Sequence, residues 1–393
     1  MSKEISYSDG EIENEILQTL KESSNVSAAA TIAIEKQTSW AFEYHLSCQR
    51  ANLVRHFNFQ GKRVLEIGAG MGAVSRYVAE KCEFLQIVEG TSRRLSCLQE
   101  RLRDLRNFNV FCGNFKDFKV EEKFDVILII GVLEYADLYF EDDGEDPFVA
   151  FLKKAKSHLK PEGEVLLAIE NRLGLKYWAG ATEDHTGAFF DGILGYRNAK
   201  TVRTFSKKEI RTVLESAGFL EVNFQYPFPD YKLPRSILTE ELANRCPDVF
   251  ASIAGASLAR DYGRDRVVLF SESVGFNGLI DTGLLTEFSN SFLIISRQNK
   301  ILKKDKVLGY SYSQNELKKT MTHFEEINDS LMVNKRLMDS DADEVDYQTI
   351  RWIRPQATEV KRGALLIDRF KRSLTFREWE IFFEEWKKYV SWI

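Results

Sequence analysis

Val64-Leu65-Glu66-Ile67-Gly68-Ala69-Gly70-Met71-Gly72 joins a short, mostly apolar run to three glycines at alternate positions. The apolar run predicts a buried strand, and the residues that follow have the apolar spacing of a helix. Glycine permits a tight turn and a close approach of a ligand to the backbone, and the first turn of a helix offers free N–H groups. This stretch therefore predicts a nucleotide-cofactor site at the first strand of a doubly wound α/β sheet.

Alternating strands and helices continue from this stretch. Strands are predicted over 84–88, 109–112, 124–130 and 164–169, with helices over 72–81, 92–105 and 147–159 between them. Such alternation indicates a parallel sheet with helices on both faces. Two later strands are predicted at 222–226 and 291–296.

A helix over 206–217 is predicted from its ends. Ser206 is a suitable N-cap, Glu209 occupies the capping-box position, and Gly218 lies where a C-terminal glycine belongs. The stretches 171–203 and 227–290 on either side of this region show no clear periodicity. A long irregular stretch inside a compact domain is usually functional or disordered, and the aromatic content of 171–203 disfavours disorder.

Two cofactors fit the glycine turn. Its Gly68-x-Gly70-x-x-Ala73 spacing matches the dinucleotide fingerprint, which is a weak signal alone. Glu66 favours S-adenosylmethionine, because a carboxylate there can bridge to the turn amides and lie near the methionine ammonium, whereas it would repel a pyrophosphate. Glu89 can accept hydrogen bonds from the ribose hydroxyls of either cofactor. The Asn114 amide oxygen can accept from an adenine amino group, and Phe115 can pack on that ring.

These features resemble the Rossmann-like (class I) S-adenosylmethionine-dependent methyltransferase superfamily. The resemblance covers about residues 40–300 and includes Phe124-Asp125-Val126-Ile127 leading to Gly131-Val132-Leu133-Glu134. It implies a doubly wound, seven-stranded, mostly parallel sheet, with 291–296 as an antiparallel seventh strand. The usual acidic residue after the third strand is Asn114 here. The predicted cofactor-binding residues are Glu66, Gly68, Ala69, Gly70, Gly72, Glu89, Gly90, Asn114, Phe115 and Gly131.

Other segments resemble, more narrowly, methyltransferase modules fused to glycosyltransferases in bacterial surface-polysaccharide (O-antigen type) assembly proteins. They are Tyr44-His45-Leu46-Ser47…Arg50-Ala51-Asn52-Leu53, Ile169-Glu170-Asn171-Arg172-Leu173-Gly174-Leu175-Lys176-Tyr177, Glu183-Asp184-His185 and Pro229-Asp230-Tyr231-Lys232-Leu233-Pro234. This resemblance implies a cytoplasmic O-methyltransferase for a sugar or lipid-linked glycan acceptor, fused or docked to a glycosyltransferase.

Polar residues that follow predicted strands indicate where the acceptor binds, because ligands of this topology lie outside the carboxyl ends of the strands. A sugar needs carboxylates and amides for its hydroxyls and aromatic rings for its apolar face. The predicted acceptor residues are Tyr44, Glu134, Glu170, Asn171, Tyr177, Asp184, Asp230 and Tyr231. For each of them, packing within the insertion is an equally open interpretation.

Methyl transfer to oxygen requires alignment of donor and acceptor, and a general base assists it. Histidine suits this role best at neutral pH. His185 and His45 are the candidates, and His185 is favoured because Glu183 and Asp184 flank it. An ordinary surface histidine is the alternative for His185.

Composition limits the remaining possibilities. A net charge of −5 argues against a nucleic-acid partner, and no apolar run reaches the length of a membrane span. Peripheral membrane association remains open. The acidic run 141–146 lacks the residue spacing of an EF-hand loop, and no cysteine pair has C-x-x-C spacing, so no metal site is predicted.

Three regions are predicted along the chain. Residues 1–60 form a helical segment that caps the cofactor site, and 61–300 form the methyltransferase domain with insertions at 171–203 and 227–290. Residues 301–393 form an α+β extension, with a β-hairpin from 321–327 and 331–337 and a helix over 374–393, that is expected to lead into a further domain of a longer protein. Two other functions stay open: a small-molecule methyltransferase and a non-catalytic scaffold module of a glycan synthase.

Overall fold

The computed structural model describes residues 9–30, 32, 39–140, 144–197, 202–257, 259–262, 264–300, 306–313, 320–328, 330–338, 344–347, 350–360 and 366–390. Its strands are β1 (Arg63–Ile67), β2 (Phe84–Glu89), β3 (Phe108–Cys112), β4 (Phe124–Ile130), β5 (Leu159–Glu170), β6 (Glu221–Phe228), β7 (Ser236–Thr239), β8 (Ser291–Arg297), β9 (Val307–Tyr312), β10 (Thr320–Ile327), β11 (Ser330–Leu337), β12 (Glu344–Tyr347), β13 (Ile350–Ile353) and β14 (Thr358–Glu359).

The α-helices are α1 (Ile12–Glu22), α2 (Trp40–Leu46), α3 (Ala73–Lys81), α4 (Ser92–Arg101), α5 (Ala136–Tyr139), α6 (Pro147–Ser157), α7 (Leu175–Trp178), α8 (Lys207–Ser216), α9 (Glu240–Arg245), α10 (Pro247–Ala256), α11 (Glu272–Gly278), α12 (Leu366–Thr375) and α13 (Trp379–Val390). Among the described residues, none of these helices has the length and apolarity that crossing a bilayer requires.

A mixed sheet of twelve strands organises the fold, in the order β14-β11-β10-β9-β7-β6-β8-β5-β4-β1-β2-β3. The block β3-β2-β1-β4-β5 is parallel, as the alternating pattern predicted. Both faces of its central strands are covered. Leu65 and Ile127 belong to the core under α6 and α8, whereas their neighbours Val64 and Val126 belong to the core under α3. Burial on both faces explains why these strands are almost continuously apolar.

The prediction of a seven-stranded, mostly parallel sheet is wrong in the number of strands and in the proportion of parallel to antiparallel pairings. From β5 onward every pairing within the sheet is antiparallel. The difference begins in the stretch 227–290, which holds β7 and three helices rather than irregular chain. Pairing of β7 with β6 creates a new edge, and Ser236 of β7 lies opposite Ser311 of β9. The extension after residue 300 therefore continues the same sheet.

Local sequence signals are confirmed at several points. Ser206 accepts from the Glu209 N–H and Glu209 reciprocates, which completes the capping box of α8, and Gly218 follows that helix with a φ of +85°. The expected hairpin is formed by β10 and β11. The helix expected over 374–393 begins later, at Trp379, as α13, and residues 374 and 375 end the preceding helix α12. The chain turns between them at Phe376 and Arg377, where Arg377 has a φ of +57°. Residues 391–393 lie outside the described residues.

The N-terminal helices lie against the cofactor-site turn. Ser39 caps α2 by accepting from the Phe42 N–H. Ile16 of α1 and Phe42 of α2 share a small apolar core with Met71, which belongs to the glycine turn itself. This packing places Tyr44 and His45 at the mouth of the turn.

Candidate active site

One cavity lies at the carboxyl edge of β1, β2, β4 and β5, where the topology places ligands. Predicted cofactor residues at its wall are Glu66, Gly68, Ala69, Gly70, Glu89, Gly90, Asn114, Phe115 and Gly131. Predicted acceptor or catalytic residues at its wall are Tyr44, His45, Glu134, Asp184, His185 and Tyr231. We call these the cofactor end and the acceptor end of the cavity.

The glycines of the turn are required for different reasons. All three have positive φ, at +74° for Gly68, +56° for Gly70 and +78° for Gly72. A Cβ on Gly68 would lie 2.4 Å from Val132 Cγ2, and one on Gly72 would lie 3.3 Å from Leu98 Cγ, so these two glycines allow packing. A Cβ on Gly70 would meet nothing within 4 Å. Gly70 is therefore the position at which the turn is open to a ligand.

Glu89, rather than Glu66, bridges to the turn. Its carboxylate accepts from the Gly70 N–H at 2.7 Å and from the Thr91 N–H at 3.1 Å. The expected bridge from Glu66 to the turn amides is not formed among the described residues, where the Glu66 Oε2 has no hydrogen-bond partner. Burial, with a contribution from Glu89, raises the pKa of Glu66 to about 7. A cationic ligand group beside Glu66 would stabilise its charged form.

The predicted adenine contacts are partly occupied by the protein itself. The Asn114 Oδ1 accepts from the Lys116 N–H at 2.8 Å, and its Nδ2 donates to the Tyr139 carbonyl at 2.7 Å. The ring of Phe115 packs against Phe151 at 5.2 Å between centroids. Both residues still line the cavity, so their contact with adenine stays a prediction.

His45 is tied to the residues that precede α1. Its Nε2 lies 2.9 Å from Asp9 Oδ2, and Asp9 also accepts from Arg94 at 2.6 Å. Burial lowers the pKa of His45, although Asp9 acts in the opposite direction. The arrangement makes His45 a link between α2 and the residues before α1.

Two buried carboxyl side chains and one partly buried histidine meet at the acceptor end. Glu134 follows β4, Glu170 ends β5, and His185 comes from the insertion. The Nε2 of His185 lies 3.6 Å from Glu170 Oε2, and its Nδ1 lies 3.4 Å from the Tyr135 hydroxyl. One ligand atom of each of Glu134, Glu170 and His185 lies within 4.8 Å of the others. The sequence analysis placed these residues near the acceptor but predicted no metal-ligand group among them.

A chain of buried ion pairs supports this cluster. The Lys232 ammonium donates to Glu170 Oε1 and, at 2.5 Å, to Asp184 Oδ2. Lys176 donates to the same Asp184 carboxylate at 2.8 Å. Neither lysine was predicted as a site residue. The available signal was their position beside predicted acceptor residues, within the segments that carry the narrower resemblance.

These contacts shift the acid–base behaviour of the cluster. Burial, together with the Glu170 charge, raises the pKa of Glu134 to about 8. Burial alone would raise the pKa of Glu170, but Lys232 and His185 hold it well below its usual range. Burial acts to lower the pKa of His185, but Glu170 outweighs it and raises the value to about 9. A histidine that carries its proton at pH 7 is a poor proton acceptor there, which weakens the expected role of His185 as an unaided general base.

Four predicted acceptor residues do not line the cavity: Glu170, described above, and Asn171, Tyr177 and Asp230, which lie behind its wall. Asn171 donates to the Glu287 and Ser289 carbonyls at 2.7 and 2.8 Å, which fixes the chain before β8. Tyr177 is fully enclosed, with Lys176 over its ring at 4.8 Å. Asp230 accepts from the Tyr262 hydroxyl and, at 2.9 Å, from the Lys232 N–H. Their roles in the described structure are in packing and orientation.

Tyr44 and Tyr231 do reach the cavity. Arg50 lies 4.2 Å from the centre of the Tyr44 ring and holds it in place. A Cβ on Gly131 would lie 2.7 Å from the Tyr231 hydroxyl and 3.5 Å from Glu134 Oε1. Gly131 therefore allows both side chains to approach the end of β4.

Residues 65–165 match a protein-family model described as a methyltransferase domain. The chain contains a methyltransferase domain. Over these residues the chain has an α/β Rossmann-like fold, and the match supports methyltransferase activity. This assignment agrees with an open glycine turn beside the buried carboxyl of Glu66, whose Oε2 has no hydrogen-bond partner among the described residues.

Solved structures similar to the chain are distant. One is the N-methyltransferase NodS from Bradyrhizobium japonicum with S-adenosyl-L-homocysteine, at 19% identity over 42% of this chain and 76% of that chain, with a TM-score of 0.29. Another is a DhpI–SAH complex, at 16% identity over 56% and 92%, with a TM-score of 0.34. Likeness at this level carries no argument about the acceptor. No curated protein matches this chain in sequence.

Proposed function

We propose that this protein is an O-methyltransferase that uses S-adenosylmethionine to methylate a sugar or glycan hydroxyl in bacterial surface-polysaccharide biosynthesis. The observation that carries the proposal is that the glycine turn and two members of the buried cluster, Glu134 and His185, line the same cavity. A methyl donor held at the turn therefore shares its cavity with carboxylates that can accept hydrogen bonds from hydroxyl groups.

Aromatic rings at the acceptor end support a sugar-like acceptor. Trp40 and Tyr262 lie 3.9 Å apart between ring centroids, and Trp40 and Tyr44 lie 5.2 Å apart. All three rings line the cavity beside Asp184. A sugar ring has apolar C–H faces and a polar hydroxyl rim, and this wall offers aromatic surface next to charged groups.

At the cofactor end, the proposal assigns the methionine ammonium to Glu66, the ribose to Glu89, and the adenine to Asn114 and Phe115. When bound, the cofactor supplies an electrophilic methyl group. The open backbone at Gly70 admits the ligand, and the carboxyl of Glu66 fixes its amino-acid part.

At the acceptor end, the chain orients and activates the hydroxyl. We assign this role to His185 together with Glu134 and Glu170, and orientation of that cluster to Lys232 and Asp184. Positioning of the two reactants contributes much of the acceleration in such a displacement. His45 is the second predicted catalytic residue. We assign it a structural role, in which its contact with Asp9 links α2 to the residues before α1. The cytoplasmic location and a fused or docked glycosyltransferase are proposed from the sequence resemblance alone.

The test is methyl transfer from isotopically labelled S-adenosylmethionine to a panel of sugars, glycan fragments and small amines. The expected product is a glycan with one labelled methyl on oxygen, located by tandem mass spectrometry. Labelling of amines alone would contradict the proposal, and so would cofactor binding without transfer to any glycan.

A further inference from the structure

We propose that Glu134, Glu170 and His185 form a binding site for one divalent metal ion, of the Mn²⁺ or Zn²⁺ type, at the acceptor end of the cavity. Metal binding itself does not depend on the acceptor. Its use in catalysis rests on the proposed function, because the ion would bind the oxygen that is to be methylated.

The unsatisfied atoms of the cluster are the first argument. Both carboxylate oxygens of Glu134, the Oε2 of Glu170 and the Nε2 of His185 are buried without a hydrogen-bond partner among the described residues. Glu134 is 1% exposed and Glu170 is 0% exposed. Buried polar atoms are normally paired, and the binding of an ion is one of the recognised explanations when they are not. One ligand atom of each of these three residues lies within 4.8 Å of the others.

The distances are the second argument. At 3.6 Å, His185 Nε2 and Glu170 Oε2 are too far apart for a good hydrogen bond. Metal–nitrogen and metal–oxygen bonds of about 2.1 Å at tetrahedral or octahedral angles separate two ligand atoms by roughly 3.0 to 3.4 Å. The observed separation needs only a few tenths of an ångström of closure. The three candidate ligand atoms all lie within 4.8 Å of one another. Glu134 would therefore need only a small side-chain movement to reach the same ion.

The surroundings orient the ligands as they do in known metal sites. A ligating histidine generally uses its second ring nitrogen in another hydrogen bond, and here Nδ1 of His185 faces the Tyr135 hydroxyl at 3.4 Å. Lys232 holds the Oε1 of Glu170, which directs its Oε2 toward His185. Glu170 and His185 therefore each have one atom held by the protein and another left for the ion.

The charges allow an ion. Three carboxylates, those of Glu134, Glu170 and Asp184, face the ammonium groups of Lys176 and Lys232. Once a bound ion has displaced the protons of Glu134 and His185, these groups carry one excess negative charge. Carboxylate ligands suit Mn²⁺ and imidazole suits Zn²⁺. Three protein ligands also leave coordination positions open, which is typical of metal sites that bind substrate.

The test is a titration of the full chain, stripped of metal by chelation, with Mn²⁺ alone and with Zn²⁺ alone. Calorimetry and, for Mn²⁺, electron paramagnetic resonance report the bound ion. We expect one ion per chain, and at least a tenfold loss of affinity in Glu134→Gln and in His185→Gln. The matched control is His323→Gln, because His323 also lies beside a carboxylate, at 3.3 Å from Glu325, but is not part of a three-ligand group.

Each variant must retain the circular dichroism spectrum and S-adenosylmethionine affinity of the unaltered chain. If Glu134→Gln fails to fold, Tyr135→Phe replaces it. This variant is expected to lower the affinity for the ion about tenfold, because Tyr135 orients His185. The inference is overturned if neither ion binds, or if both bind the cluster variants as tightly as the control. Methyl transfer that persists in chelator would also overturn the use of the ion while leaving the proposed function intact. Ion binding without methylation of any glycan would contradict the proposed function alone.

Discussion

The cofactor end and the acceptor end of the cavity are built in different ways. The cofactor end consists mainly of one continuous turn, Gly68 to Gly72, whose backbone conformation follows from its glycines. The acceptor end is assembled from four separate segments, which contribute Glu134, Glu170, His185 and Lys232. One end depends on local backbone geometry and the other on buried charges that long-range packing brings together. The two ends should therefore respond differently to substitution.

The largest expected effect is loss of turnover in His185→Ala. Removing a side chain that activates the acceptor lowers the rate by about 10² to 10⁴, while affinity for S-adenosylmethionine stays unchanged because His185 lies at the other end of the cavity. Labelled-methyl transfer and calorimetry measure the two quantities. His323→Ala serves as the control and should retain both. Turnover in His185→Ala equal to that of the control would show that His185 does not activate the acceptor.

The next largest effect is on stability. Lys232→Met leaves the buried carboxylates of Glu170 and Asp184 without a shared ammonium, and breaking such a buried pair costs about 3 to 5 kcal/mol. Lys160→Met is the matched control, because its ion pair with Asp125 is partly exposed and contributes below about 1 kcal/mol. Urea unfolding gives both free energies. Equal losses in the two variants would show that the buried pairs at the acceptor end carry no special stability.

A third substitution separates backbone strain from ligand contact. Gly70→Ala and Gly61→Ala both place a Cβ at positive φ, +56° and +68°, with nothing within 4 Å. Each should cost about 1 kcal/mol of stability or slightly more. Only Gly70→Ala should lower the affinity for S-adenosylmethionine, by about tenfold to a hundredfold, because the new methyl group occupies the approach to the turn. Titration calorimetry measures the affinity of each variant for S-adenosylmethionine. Equal affinities in Gly70→Ala and Gly61→Ala would mean that the ligand does not approach Gly70.

The smallest expected effect is a pH dependence at the cofactor end. Glu66 has a pKa raised to about 7 by burial, so it is neutral below that pH and charged above it. The cofactor ammonium should therefore bind more weakly as pH falls from 8 to 6, by at most about tenfold for each unit below the pKa. Glu66→Gln should show weak binding with little pH dependence. A wild-type affinity that is constant over this range would contradict the pairing with Glu66.

Local features were predictable because they depend on neighbouring residues. The glycine turn, the parallel strands and the capping box at Ser206 each follow from short-range rules of backbone conformation and apolar spacing. The acidic residues at the carboxyl edge, Glu134 and Glu170, could also be placed, because strand ends meet at one edge of a parallel sheet.

Long-range features were not predictable in the same way. The short strand β7 has four residues, and nothing in its sequence shows that it links β6 to β9 across the new edge. Glu89, rather than Glu66, accepts from the Gly70 N–H, and this depends on how the two side chains pack. Lys176 and Lys232 are 56 positions apart, yet they share the Asp184 carboxylate. Pairings of this kind leave no periodic signal in the chain.

The most direct test of the account is a crystal structure with S-adenosylhomocysteine bound. The account predicts the homocysteine ammonium beside Glu66 and the sulfur directed toward Glu134 and His185. An acceptor oxygen in position for attack lies about 3 to 3.5 Å from the methyl carbon, so the sulfur should lie roughly 5 Å from the site of that oxygen next to the cluster. A sulfur directed away from Glu134 and His185, or a cofactor bound outside the glycine turn, would contradict the account.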